Sequence, residues 1–155
     1  ETTNKNNKEK NGLAIKAYKK FYKKNLSKEC DFLFFLRIFN NDELKEMIAV
    51  GISARAAMYI YTYYNDEVVK CMDGIFNDLG VVENKKYFAG YGSGGAAYSA
   101  IYLCELKNGK VNIIDTYDCD DGVCNKNGKK ISKEEYINFD KSIDWNKYDN
   151  YKMYK

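Results

Sequence analysis

Between Phe34 and Met47 the chain sets oxygen-bearing side chains at the spacing of a calcium loop. The frame is D-x-[DN]-x-[DN]-G-x-x-E, and Asn40, Asp42 and Glu46 hold their places in it. Two positions are broken. Ile38 stands where the leading Asp belongs, and Glu43 replaces the Gly that permits the sharp turn. Calcium takes about six to eight oxygens. One amide and two carboxylates fall short of that, so no metal is expected on Asn40, Asp42 and Glu46. The role left to Asn40 and Asp42 is to bond local backbone N–H groups in a polar turn.

Other chemistry is bounded by what is missing. The chain has no His, which removes the commonest general base and the commonest neutral metal ligand. Ser-His-Asp and Cys-His catalysis are therefore excluded. Gly90-Tyr91-Gly92-Ser93-Gly94-Gly95 matches G-x-G-x-x-G, but a strand pattern follows it where a dinucleotide site needs a helix. It is expected as a glycine turn or a point of close backbone approach. No cofactor and no catalytic residue is expected. Tyr59, Tyr61, Tyr63 and Tyr91 are the candidate ligand-binding residues, as an aromatic platform with polar tips that suits a sugar, a peptide or a protein. Asp115, Asp118, Asp120 and Asp121 form an acidic cluster. It supports the alternative reading, a hydrolase-type enzyme using carboxylate or Tyr chemistry near the acidic cluster at 115–121.

Five Cys leave at least one unpaired within the chain. Cys119 and Cys124 flank Asp120-Asp121-Gly122-Val123 at a spacing that suits a hairpin disulfide. Cys71 and Cys104 sit in apolar runs and are expected in the core. No C-x-x-C occurs, so a thioredoxin-like role is not indicated.

The elements that would position these groups follow from periodicity. Residues 13–26 carry Ala14, Ala17, Tyr18, Phe21 and Tyr22 at helical spacing, with Lys16, Lys19, Lys20, Lys23 and Lys24 largely elsewhere. Strands are expected at 31–39, 46–52, 58–64, 67–72, 86–89, 97–106 and 111–117, with a small hairpin in 123–131. Asn65-Asp66, Asn108-Gly109 and Asn127-Gly128 supply turns. Residues 73–84 are expected to be irregular because Gly74, Gly80 and Asn84 interrupt them. Ser132-Lys133-Glu134-Glu135 is a capping box opening a helix to about Ile143, and Trp145 is expected to tuck the tail onto the core. The strand connections are too short for helical crossovers. The fold class is thus α+β: an antiparallel meander of six or seven strands flanked by an N-terminal and a C-terminal helix.

The 155 residues suit one domain, expected at 13–155 behind a polar tether at 1–12. Net charge is +3, too mild for the basic stripe of a nucleic-acid binder. No apolar run approaches the roughly 20 residues that span a bilayer.

Phe34-x-Leu36-x-Ile38-x-Asn40-Asn41-Asp42-Glu43-Leu44-Lys45-Glu46-Met47-Ile48 resembles the FALIDINNDGIKEMIV-type segment of a lipoprotein family of Clostridia. Asn127-Gly128-Lys129-Lys130-Ile131-Ser132-Lys133-Glu134-Glu135-Tyr136 is similar to that family's closing NGKKISKEEY signature. The resemblance spans roughly residues 13–145. It implies a secreted protein of the cell envelope, lipid-anchored through its N-terminal tether, and it implies no activity. The expectation is an extracellular, non-catalytic binding domain whose partner is an extracellular ligand or protein.

Overall fold

The computed structural model describes residues 2–36, 44–51, 57–82 and 87–148; of 2–5, 31, 32, 34–36, 75, 147 and 148 it describes the backbone alone. Ile38, Asn40, Asp42 and Glu43 of the calcium-loop frame lie outside these residues, as do the expected strand ends at 37–39, 52 and 86.

Helix α1 spans Thr2–Asn25. The strands are β1 (Cys30–Leu36), β2 (Glu46–Gly51), β3 (Met58–Tyr64), β4 (Glu67–Phe76), β5 (Asp78–Val82), β6 (Phe88–Ser93), β7 (Tyr98–Lys107), β8 (Lys110–Asp120), β9 (Val123–Lys126), β10 (Lys129–Ile131) and β11 (Ile143–Asp144). Helix α2 (Lys133–Lys141) precedes β11, and a 3-10 turn (Trp145–Tyr148) follows it. The class is α+β with antiparallel pairing and a helix toward each end. The strands divide between two sheets, ordered β1-β2-β3-β4 and β10-β9-β8-β7-β6-β5-β11. Each is a meander in chain order, except that β11 returns to pair with β5.

Tight turns make the meanders possible. Asn65-Asp66, Asn108-Gly109, Asp121-Gly122 and Asn127-Gly128 all have both central residues at positive φ. That is the type I′ geometry whose twist matches paired strands. Registers such as Tyr64↔Glu67 and Lys107↔Lys110 show the two-residue loops directly.

The layers are helix, sheet, sheet, helix. Between the sheets lie Ile48, Val50, Ile60, Cys71 and Phe76 of the first and Leu79, Phe88, Cys104, Leu106 and Val111 of the second. The outer face of the first sheet buries Met47, Ala49 and Tyr61 against Ala14, Tyr18 and Tyr22 of α1. The outer face of the second sheet packs Ala89, Ile101 and Tyr117 against Ile143, with Tyr136, Phe139 and Trp145 alongside. Strand β3 displays the period-two rule: Met58 and Ile60 enter the inter-sheet core, and Tyr59, Tyr61 and Tyr63 lie on the α1 side.

The structure corrects several boundaries. Helix α1, expected to start at residue 13, starts at Thr2 and so takes in residues 2–12. They lack an apolar stripe, but Asn11 Oδ1 accepts a hydrogen bond from Lys45 N at 2.8 Å, which ties this turn to the sheet. Residues 73–82 are not irregular: β4 continues to Phe76 and β5 begins at Asp78. Asn77 is where the chain passes from one sheet to the other, and its N–H donates to Tyr91 O at 2.7 Å. Gly74 and Gly80 are packing notches there, not breakers; a Cβ on Gly74 would meet the Tyr59 ring at 3.1 Å, and one on Gly80 would collide with Ile143 and Trp145. Gly90 and Gly92 belong to strand β6, with the bend displaced to 94–97. Helix α2 ends at Lys141, and Ile143 joins β11 against Val82.

Candidate functional site

The tyrosines expected to form one platform occupy two layers. Tyr61 is buried beneath α1, with its ring centroid 5.3 Å from that of Phe21. Burial, then the nearby Cys30 and Tyr59, pushes its hydroxyl up to about 12. Tyr59 and Tyr63 are half-buried on the same face. Tyr91 belongs to the other sheet, edge-on to Trp145 with centroids 6.2 Å apart. The set of four is therefore not brought together.

What the fold assembles instead is a cleft at the junction of α1 with the β3–β4 hairpin. It is lined by Lys10, Leu13, Leu44, Tyr63, Tyr64, Asn65 and Asp66. Each wall has a local cause. The β3–β4 pairing runs on to Tyr64↔Glu67, beyond the last β2–β3 pair at Met47↔Tyr61, so the type I′ turn at Asn65-Asp66 lies past the paired end of β2. Tyr64 is backed by the β7–β8 turn, where a Cβ on Gly109 would lie 3.2 Å from Tyr64 Cδ1. Segment 44–45 is held to α1 from both sides: Tyr18 Oη donates to Lys45 O at 3.0 Å, and Lys45 N donates to Asn11. Leu44 is buried at the base, whereas Leu13 is 57% and Tyr64 38% exposed at the lips. The volume is about 240 Å³, below the roughly 300–1,000 Å³ of a site for a drug-sized ligand. It suits an inserted side chain more than a whole small molecule. Lys10 and Asp66 offer one charge of each sign, and Asn65 an amide. Of the expected residues only Tyr63 takes part. The overlooked signal was Leu13, an apolar residue standing among the lysines and outside the apolar stripe of its helix.

Glu46 survives from the calcium-loop frame and is fully buried. It accepts a 3.4 Å hydrogen bond from Thr62 Oγ1. Its charge adds to burial in raising both the Tyr18 hydroxyl and the Cys71 thiol, the latter up to about 12. Thus Glu46 sits inside the protein beside Thr62, on the face of β2 that also carries Ile48 and Val50.

The acidic cluster is laid out along β8 and its turn. Asp115 accepts from Asn127 Nδ2 at 2.7 Å and lies 3.8 Å from Lys126 Nζ. Asp118 accepts from Asn125 Nδ2 at 3.1 Å. Both carboxylates hold the β9–β10 hairpin to β8. Among the described residues no group of three or more Cys, Asp or Glu side chains is placed to hold a metal. Cys119 and Cys124 are directly opposed in the β8–β9 register and form a disulfide, with Cα atoms 4.1 Å apart. Cys30, Cys71 and Cys104 are free and buried. Burial alone raises the Cys104 thiol to about 12, which disfavours the nucleophilic thiolate.

Among the described residues no helix is long and apolar enough to cross a membrane. Compared with known proteins, the chain matches no family model, no curated relative and no solved structure.

Proposed function

We propose that this chain is an exported, non-catalytic binding domain of the cell envelope, and that it takes an apolar or aromatic side chain of a protein partner into the cleft between α1 and the β3–β4 hairpin. The observation that carries the reading is the pairing of exposed Tyr64 with a buried Leu44 floor in a cleft of side-chain size. Interface anchors are enriched in aromatic residues that fill such depressions. Polar atoms of Asn65, Asp66 and Lys10 at the rim would orient the partner's backbone. The Cys119–Cys124 disulfide supports an oxidising compartment, in keeping with the resemblance to exported lipoproteins.

The test is selection of a displayed random-peptide library on the purified, oxidised chain. Enriched peptides should share an apolar or aromatic anchor. Their affinity should fall at least about tenfold in Tyr64→Ser, as for a hot-spot residue, and stay unchanged in Tyr91→Ser. Peptides insensitive to Tyr64→Ser would refute the site. Export is checked separately by proteolysis of intact cells, which should degrade the protein without lysis.

A further inference from the structure

The charge of this molecule is sharply segregated. Helix Thr2–Asn25 contains eight Lys against the single acid Glu9, a net +7. The whole chain carries +3, so the remainder is at −4. Within α1 the lysines are also sorted by face. Ala14, Tyr18 and Tyr22 are buried on the first sheet, and Lys16, Lys20, Lys23 and Lys24 are exposed on the opposite side. Leu13, 57% exposed, stands three residues before Lys16 and seven before Lys20, on that same outward stripe. Among the described residues none of Lys16, Lys20, Lys23 and Lys24 is within ion-pair distance of a carboxylate.

We infer that the outward face of α1 docks this protein onto an anionic lipid bilayer. The surface is fixed by the fold. Tyr22 Oη donates to Cys30 O at 2.9 Å and Tyr18 Oη to Lys45 O at 3.0 Å, so the helix cannot roll its apolar face outward. An interfacial helix ordinarily inserts its apolar face among the acyl chains. Here that face belongs to the core, and contact is made by ammonium groups on lipid phosphates, with Leu13 entering the headgroup layer. Attachment of this kind is superficial, reversible and screened by salt. The negative remainder of the molecule is repelled by the same surface, which orients α1 toward it. Lys16, Lys20, Lys23 and Lys24 do not line the cleft, whereas Leu13 does, so the lysine variants separate this docking from the partner proposed there.

Vesicle flotation with the full chain tests it. Vesicles of mixed phosphatidylglycerol and phosphatidylcholine should bind the protein, and pure phosphatidylcholine vesicles should not. Each surface lysine contributes about fivefold, so Lys16→Gln/Lys20→Gln/Lys24→Gln together should weaken binding on the order of 100-fold. Leu13→Ser should weaken it by up to roughly tenfold. The control Lys107→Gln/Lys110→Gln/Lys130→Gln, on the second sheet, should bind as wild type, and circular dichroism should show all variants folded. Equal binding to neutral vesicles, wild-type binding by the folded α1 triple variant, or equally tight binding of heparin by the same lysines would overturn the inference; the last would mean a generic polyanion surface.

Discussion

Phe76 fills the space that a side chain on Gly90 would need: a Cβ there would sit 2.5 Å from both Cδ1 and Cε1 of the ring. Phe76 ends β4, the last strand of the first sheet, and Gly90 lies in β6, an interior strand of the second. The same ring meets Phe88 edge-on, with centroids 6.4 Å apart, and Tyr102 at 5.6 Å. One residue thus seats one sheet on the other where the chain crosses between them, and the notch at Gly90 is what lets it seat.

Substitution Gly90→Ala should therefore destabilise the fold by about 1–3 kcal/mol through overpacking. The contrast is Gly12, which is helical with nothing within 4 Å of a built Cβ. Gly12→Ala should stabilise by roughly 0.5–1 kcal/mol through helix propensity. Urea midpoints of the two variants should move in opposite directions. A wild-type midpoint for Gly90→Ala would mean that Phe76 is not seated as described.

The disulfide gives a second expectation. Cys119 and Cys124 close a loop of about six residues, which the chain-entropy relation values at about 2 kcal/mol. Cys119→Ser/Cys124→Ser should lose about that much, measured as a loss of urea midpoint matched by reduction of the wild type. Thiol titration supplies an independent count. The native oxidised protein should expose almost none of its three free thiols, the denatured oxidised protein all three, and the denatured reduced protein five.

The expected turn pairs Asn65-Asp66, Asn108-Gly109 and Asn127-Gly128 were legible because left-handed backbone demands Asn, Asp or Gly locally. The alternation of β3 was legible for a similar reason: neighbouring side chains must face opposite layers. The division into two sheets was not. A glycine such as Gly74 or Gly80 looks the same in sequence whether it breaks a strand or receives a ring, and here the deciding rings, Tyr59 and Trp145, are remote in the chain. The start of α1 was hidden likewise, since residues 2–12 have no apolar period and Asn11 is held by Lys45. The cleft was missed because Leu13, Leu44 and Tyr64 come from three elements, and only the fold makes them neighbours.

Helix α2 offers a local test of capping. It has no buried residue of its own, and Ser132 Oγ accepts from Glu135 N at 3.0 Å. The helix is applied to the second sheet by the stack of Phe139 on Tyr117, with centroids 3.9 Å apart, and by the 3.0 Å hydrogen bond between the hydroxyls of Tyr136 and Ser99, while Trp145 Nε1 donates to Asp140 Oδ1 at 2.8 Å. Ser132→Ala should cost about 1 kcal/mol. Hydrogen exchange should quicken in 133–141 well before it does in β7. Uniformly quickened exchange through both elements would show that α2 does not open by itself.

Stability should also decline in alkali, and the sign follows from burial. The thiols of Cys71 and Cys104 are raised from an ordinary value of 9.0 to about 12, by burial in both cases and by the charge of Glu46 as well for Cys71. Each thiol donates weakly to a carbonyl two residues back in its own strand, at 3.6 Å, and ionisation would remove that bond. A group whose folded pKa exceeds its unfolded one holds its proton longer when folded. Its contribution is complete below about pH 9 and is lost as pH rises from about 9 toward 12. Each thiol should contribute a slope of about 1 kcal/mol per pH unit in that window. Urea midpoints between pH 7 and 9 should stay nearly level by comparison and then fall steeply. Cys104→Ala should start lower at pH 7, because it leaves a cavity, and fall less steeply above pH 9. Parallel declines for variant and wild type would remove the thiol from the account and leave the loss to Tyr18 and Tyr61, whose hydroxyls burial also raises.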